Sequence, residues 1–435
     1  MWFCWGGIKM AISDYVKVTG MGFALPDIKK HGICNTKKRF WEIVKKGECV
    51  LSKTPEYQKY DIGVAGKIHE WKKEEFNISK KHIAKYSNAT LLGIMAVQKA
   101  LEDANYKIED VSNTRTLLVV TSSMLTLETL NKQYSKLLSD GKDNIGFDFF
   151  IQGTPGSIAC GISKVLEINC PIISLTGSCI VAPHAIQLAC EKLKLNIVDR
   201  VIVVGIDDSN EQLYFSSATY RMKTGKTIAA ITDDPFDIRP HDAETKGNAC
   251  GQGAVAVILE RENSPHICSD GTSVFRLHYS NSRKNGHSMF DCGKPDNFGE
   301  SVKRLLNDAR ISFDEIGFIN DFAEGADFIE EFFIEALNCI RKENDYDGII
   351  YLTNQEAAFG HIGGITGLIK FVSNLMMMSE GIIAPSINCE TVHKDLCAMP
   401  IIKKYIEANC KYSMMMNCGA GGDCSIMLIE TKNDK

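Results

Sequence analysis

The sequence predicts an α/β protein made of two layered halves of similar order. Three observations support this: short apolar runs recur and end in glycine or polar turns, helical apolar stripes fall between them, and the first half's succession returns loosely in the second. Residues 15–19 (YVKVT) alternate as a strand and stop at Gly20 and Gly22, and 35–47 read as a surface helix. Residues 87–104 place Leu91, Met95, Ala96, Ala100 and Leu101 on one helical face, 114–123 form a buried strand, and 156–168 a helix. A strand at 171–175 leads through a TGS turn into a helix over 180–193, and strands at 200–206 and 254–260 complete the first half. The second half gives a strand at 274–280, a helix at 301–309, a strand at 315–321 and an acidic helix at 327–340. A strand at 347–353, a helix at 363–378 and strands at 411–417 and 424–430 follow. The methionines at 376–378 and 414–416 read as core packing. The polar stretch 261–272 is the expected seam, giving halves 10–262 and 263–435.

Composition excludes several classes. With 44% hydrophobic and 24% charged residues and a formal net charge of -5, the 435-residue chain reads as globular, with no basic block for nucleic acid. No run reaches the ~18–20 apolar residues of a membrane span. The 16 cysteines show no repeated CxxC pairs for zinc or a disulfide scaffold, and so many free thiols point to a reducing cytoplasm. No GxGxxG follows the first strand, and GxxxxGK[ST], HExxH and a nucleophile-turn GxSxG are absent. Residues 1–9 (MWFCWGGIK) fit neither a signal peptide nor a domain start. GGIK can be encoded as a bacterial ribosome-binding sequence ahead of an ATG, so translation is expected to begin at Met10. The abundance of Lys, Ile and Asn fits an AT-rich bacterial genome.

Cys179 is the residue whose surroundings read as an activated nucleophile. It stands at a strand–turn–helix junction, with Pro183 in the first helical turn where its missing N–H costs little. Unpaired N–H groups there favour a thiolate. Against this, a cysteine is ordinarily a small buried hydrophobe, and core or inert roles are expected for Cys160, Cys170, Cys190, Cys339 and Cys410. A thiolate needs a proton partner and oxyanion donors. His361, in FGHIGGITG (359–367), is the histidine set among glycines, and GAGGD (419–423) is a second glycine turn. Asp321 and Glu324 lie in NDFAEGAD (320–327), where they either face a pocket or complement the dipole of the following helix.

The chain resembles the β-ketoacyl-acyl-carrier-protein synthase family of the thiolase fold, particularly the elongating bacterial type and type II polyketide ketosynthases. The likeness runs through VKVTGMGFALP (16–26), residues 35–47, PFDIRPHDAETKGNACGQGAVAVILE (235–260), APSINCETVHKDLC (384–397) and MNCGAGG (416–422). It implies a duplicated five-layer α/β/α/β/α subunit, usually a dimer, that accepts acyl groups from the phosphopantetheine arm of an acyl carrier protein. The companion in such a dimer is a second copy or a related ketosynthase-like subunit. The resemblance also assigns Cys179 as the acylated cysteine, with its own N–H in the oxyanion hole. His361 matches the histidine of G-H-x-x-G-A-x-G, and Cys418 supplies the second oxyanion N–H. This thiol chemistry requires neither cofactor nor metal.

The departures matter as much. Phe322 takes the place of the family's first histidine, the loop is about three residues shorter before Asp327 and Glu330, and the lysine five residues before the second histidine is Glu356. Gln252 stands in GEGA, and Cys418 replaces a gatekeeping phenylalanine. A missing oxyanion donor costs about 3–4 kcal/mol. Asn320 is the expected replacement donor, and Glu324 or Asp321 a general base toward an amine, alcohol or water. Three readings follow: a condensing enzyme with an atypical site, an acyltransferase of the same fold, and a non-catalytic companion of the chain-length-factor kind. Retention of Cys179 argues against the third. The polar loop 281–299 is read chiefly as surface, with a carrier or partner contact as its functional alternative.

Overall fold

The computed structural model describes residues 14–29, 32–69, 71–146, 149, 152–208, 211–264, 273–288 and 291–432. The expected start at Met10 and most of the seam (265–272) lie outside the described residues. In the first half, the strands lie side by side as Ile172–Thr176, Thr116–Ser122, Arg200–Asp207, Gly253–Arg261 and Val16–Pro26. The second half repeats this with Tyr351–Thr353, Ile316–Asn320, Tyr412–Gly419, Asp423–Thr431 and Ser273–Arg283. Numbered within its own half, each set reads 3-2-4-5-1, with the first two pairings parallel and the last two antiparallel. The halves therefore share one topology, which loose sequence periodicity only hinted at. Val16–Val18 pair with Ser273–Phe275, so the two sheets join at one end into a single sheet, which the short strands Ile33–Cys34 and Met399–Pro400 bring to twelve strands.

Three clusters of buried side chains define the layers. Ala96 and Ala100 on helix Asn88–Asp103, with Ile158 and Ile162 on Ser157–Leu166, cover Leu118, Val120, Ile202 and Ile258 on one outer face. Val302 and Leu305 on Asp296–Ala309, with Phe333 and Leu337 on Asp327–Glu343, cover Ile319, Met414, Met416 and Ile426 on the other. Between the sheets, helices Val181–Lys194 and Thr366–Glu380 pack their apolar stripes against Val119, Val203, Val257, Met415 and Met427. This gives five layers, α/β/α/β/α, around a shared central core.

Several elements depart from the sequence reading. The first strand does not stop at its glycines but runs through Val16–Pro26. A Cβ at Gly20 would meet the Ala100 carbonyl at 2.2 Å, and one at Gly22 the Ala96 carbonyl at 2.0 Å, so these glycines let helix Asn88–Asp103 approach the strand. The apolar run at 171–175 forms not an interior strand but a half-buried edge strand. Helices Leu127–Asp140 and Glu211–Thr224 were absent from the periodic reading. Of the two roles expected for Cys160, core or inert, its exposure removes the first. No described helix is long and apolar enough to cross a membrane.

Candidate active site

The duplicated topology brings the ends of both sheets' strands to one place. Cys179 lies between strand Ile172–Thr176 and helix Val181–Lys194 in the first half. His361 lies between the short helix Glu356–Phe359 and helix Thr366–Glu380 in the second. The backbone of His361 is held by the first half: its N–H donates to the Ala249 carbonyl at 2.6 Å, and its carbonyl accepts from Gly251 at 2.9 Å. Cys179 Sγ and His361 Nε2 are 3.0 Å apart. Both open on a cavity of about 460 Å³, whose wall also includes Asn248, Phe322, Glu324, Glu356, Lys370, Asn417 and Cys418.

The far nitrogen of His361 faces two carboxylates. Glu324 Oε2 is 2.8 Å from Nδ1, and Glu356 Oε2 is 3.2 Å away. Burial pushes the ring toward its neutral form, but Glu324, Cys179 and Glu356 together raise its pKa well above the ordinary value. Burial pushes the Glu324 carboxyl up in turn, yet the His361 ring, a hydrogen bond to Asn248 and the Lys370 charge bring it below the ordinary value. The other cavity thiols differ. Burial raises Cys250 to about 12, and hydrogen bonding to Cys292 together with burial holds Cys418 well above its ordinary value. Among the described cavity cysteines, Cys179 is the one with an imidazole at hydrogen-bond distance.

Asn320 and Asp321 are not brought to this wall. Asn320 ends its strand pointing into the protein, where its amide donates at 2.8 Å to Gln355 and to Asn374. Asp321 pairs with buried His241 at 3.1 Å and accepts from the Ala323 N–H at 2.9 Å and the Asn354 amide at 2.8 Å. Both therefore fix the loop rather than enter the cavity. Glu330 accepts from the Gly325 and His241 N–H groups, closing the loop from its other side. The loop sends Phe322 and Glu324 to the cavity instead. Phe322 lines the cavity while its ring packs 5.1 Å from Phe298 and 5.2 Å from Phe333. Gln252 is spent on Asp208 and the Ile68 N–H, away from the thiol. Cys418 joins the same cavity as Cys179 through the glycine turn. A Cβ at Gly419 would meet Ser178 Oγ at 2.4 Å, so the close approach of the two loops depends on glycine.

Two residues of this neighbourhood escaped the sequence reading. Asp207, closing strand Arg200–Asp207, accepts from Ser122 Oγ at 2.7 Å, from the Ser123 and Met124 N–H groups at 2.9 Å, and from the Gly364 N–H. An acid at the carboxyl end of an apolar strand was a signal for it. Lys370, buried on helix Thr366–Glu380, donates to the Met416 carbonyl at 3.2 Å. A lone cation within an apolar helical stripe was its signal.

A duplicated five-layer fold with its cysteine and histidine at the meeting point of the halves defines the thiolase-fold class. Within that class the chain belongs to the β-ketoacyl synthase family. The family's N-terminal domain model matches residues 13–264 and its C-terminal domain model residues 275–390. The chain is 20% identical over 415 residues to 3-oxoacyl-[acyl-carrier-protein] synthase 2 of Vibrio cholerae, covering 94% of this chain and 96% of that one. It is 21% identical over 379 residues to nodulation protein E of Rhizobium leguminosarum bv. trifolii, covering 86% and 88%. Among solved structures, the ishigamide ketosynthase/chain length factor superposes with a TM-score of 0.80 at 16% identity, covering 96% of this chain and 99% of that one. A type II polyketide-synthase acyl-carrier protein in complex with its ketosynthase bound to the hexaketide gives 0.78 at 17% identity, covering 96% and 99%. The chain is a divergent ketosynthase of the thiolase superfamily.

Proposed function

We propose that this ketosynthase is a condensing enzyme of fatty-acid or polyketide assembly that carries its acyl group as a thioester on Cys179. The observation that carries the reading is the 3.0 Å contact between Cys179 Sγ and His361 Nε2 at the wall of an apolar-lined cavity. The Cys179 thiolate attacks the carbonyl of an acyl thioester on the pantetheine arm of an acyl carrier protein. The oxyanion is held by the Cys179 and Cys418 N–H groups, and the departing pantetheine thiolate takes a proton from His361. In the condensing half-reaction, loss of carbon dioxide from a malonyl thioester leaves a carbanion that attacks the acyl carbonyl and expels the Cys179 thiolate. The half-buried edge strand Ile172–Thr176 offers open backbone groups for a second copy or a related subunit.

A second reading rests on Glu324 and Phe322. Phe322 offers no hydrogen bond to an enolate, whereas Glu324 on His361 Nδ1 completes a Cys–His–Glu line. That line suits removal of a proton from an amine, alcohol or water as it attacks the Cys179 thioester. Intact-mass measurements with acyl- and malonyl-carrier proteins, on the parent and Cys179→Ala, separate the two. An adduct lost in the variant, followed by carbon dioxide and a β-ketoacyl product, establishes condensation. An adduct inert to malonyl-carrier protein but released to an added nucleophile establishes transfer. Absence of any adduct across a panel of acyl chains overturns both.

A further inference from the structure

In the family pattern a lysine precedes the second histidine by five residues, and here that position is Glu356. The buried cation of this site comes from a different element. Lys370, 3% exposed on helix Thr366–Glu380, lines the main cavity. It and Glu356 also line together a narrow void bounded by Gln355, Gly360, Thr366 and Ile369, without closing to ion-pair distance. One of its three N–H donors is taken by the Met416 carbonyl at 3.2 Å. A buried ammonium is costly unless compensated: burial lowers the Lys370 pKa, and the charges of Glu356, Asp321, Cys179 and Glu324 oppose that loss.

The charges around the thiol then balance. Glu324 and Glu356 both approach His361 Nδ1, at 2.8 and 3.2 Å, although one N–H can serve only one of them well. Without a further cation, the second carboxylate would stand uncompensated beside a thiolate. Lys370, which shares both the cavity and the narrow void with Glu356, supplies that cation.

We propose that Glu356 and Lys370 form a charge-inverted positioning pair, in which the cation has moved from position 356 to position 370 and holds the Glu356 carboxylate against His361. Lys370 does not touch the reacting atoms. It acts through Glu356 and His361 on the readiness of Cys179. The inference rests on Cys179 and His361 being the reactive pair, but its test needs no carrier protein.

The test is alkylation of Cys179 by iodoacetamide, followed by peptide mass mapping across neutral and alkaline pH, with exposed Cys160 as internal standard. The proteins are the parent, E356K, K370E and the double swap E356K/K370E. Coupled charges of this kind predict that each single change slows Cys179 about tenfold at neutral pH, and that the double swap recovers to within about threefold of the parent. Cys160 should react alike in all four. If K370E fails to fold, K370M against E356Q/K370M makes the same comparison, the neutral pair reacting faster than K370M alone. A double variant no faster than its slower single parent, or a K370M variant matching the parent's rate and pH profile, overturns the proposal. Loss of acyl loading with the coupling intact would overturn the functional reading alone.

Discussion

Glu324 holds the Nδ1 side of His361 at 2.8 Å, from the loop where the family pattern places its first histidine. The loop thereby brings a carboxylate onto the histidine that faces the thiol. His361 is fixed with Nε2 toward Cys179, since Nδ1 faces the Glu324 carboxylate and hydrogen-bonds Glu356 at 3.2 Å.

Replacing Glu324 with Gln should narrow the pH range of stability. The raised His361 pKa contributes stability that is complete below about 6.5 and is lost as pH rises through the raised value. The depressed Glu324 pKa contributes stability present above its ordinary range and lost as pH falls through the lowered value. Both terms therefore overlap from mildly acidic to neutral pH. Thermal melts should show E324Q less stable by about 1–3 kcal/mol in that window, with the gap closing at either end. A gap that is constant with pH would show that the pair carries no charge coupling.

Much of this arrangement was legible because it is local. Helix Val181–Lys194 announced itself by periodicity, and the position of Cys179 followed from the strand and turn before it. The roles within the acidic loop were not legible, because Asp321 and Glu324 lie three residues apart and differ only in what the fold brings to each. His241, 80 residues earlier, draws Asp321 inward, while His361 receives Glu324. Asn320 was misplaced for the same reason: its partners, Gln355 and Asn374, are 35 and 54 residues away. The identical strand order of the halves was equally hidden, since it resides in pairings between distant strands.

Substituting Phe322 by His should not restore the family's usual site. The ring is 5.1–5.2 Å from Phe298 and Phe333, so an imidazole in its place enters an apolar cluster. A polar group inserted there costs about 1–3 kcal/mol, read as a lower melting temperature. Malonyl-carrier decarboxylation should not rise. A variant that decarboxylates faster at unchanged stability would show that the ring turns freely into the cavity.

Cys418→Phe should restrict the acyl chain. Cys418 lines the cavity wall beside Cys292, and a phenyl group would occupy space now open to substrate. Intact-mass measurements with a series of acyl-carrier proteins should show short-chain adducts retained and long-chain adducts reduced at least tenfold, about 1.4 kcal/mol. Equal loss at every length would mean that the variant disturbs the glycine turn instead.

Asp207→Asn should weaken the site without touching the thiol. One oxygen of Asp207 accepts from Ser122 Oγ, Ser123 N–H and Met124 N–H; the other accepts from Ser123 Oγ and the Gly364 N–H. The carboxylate thus ties the end of strand Thr116–Ser122 to the glycine segment just after His361. An asparagine can satisfy only one of these sides, because its NH₂ would confront donors on the other. The unpaired buried Gly364 N–H should cost about 1–3 kcal/mol. It should also let the segment after His361 drift, so that Cys179 alkylation slows while exposed Cys160 reacts as before. Melting temperature and site-resolved alkylation together decide the matter. A fall in both supports the clamp, a fall in stability alone confines Asp207 to packing, and parent values in both would show that the clamp does not hold the histidine segment.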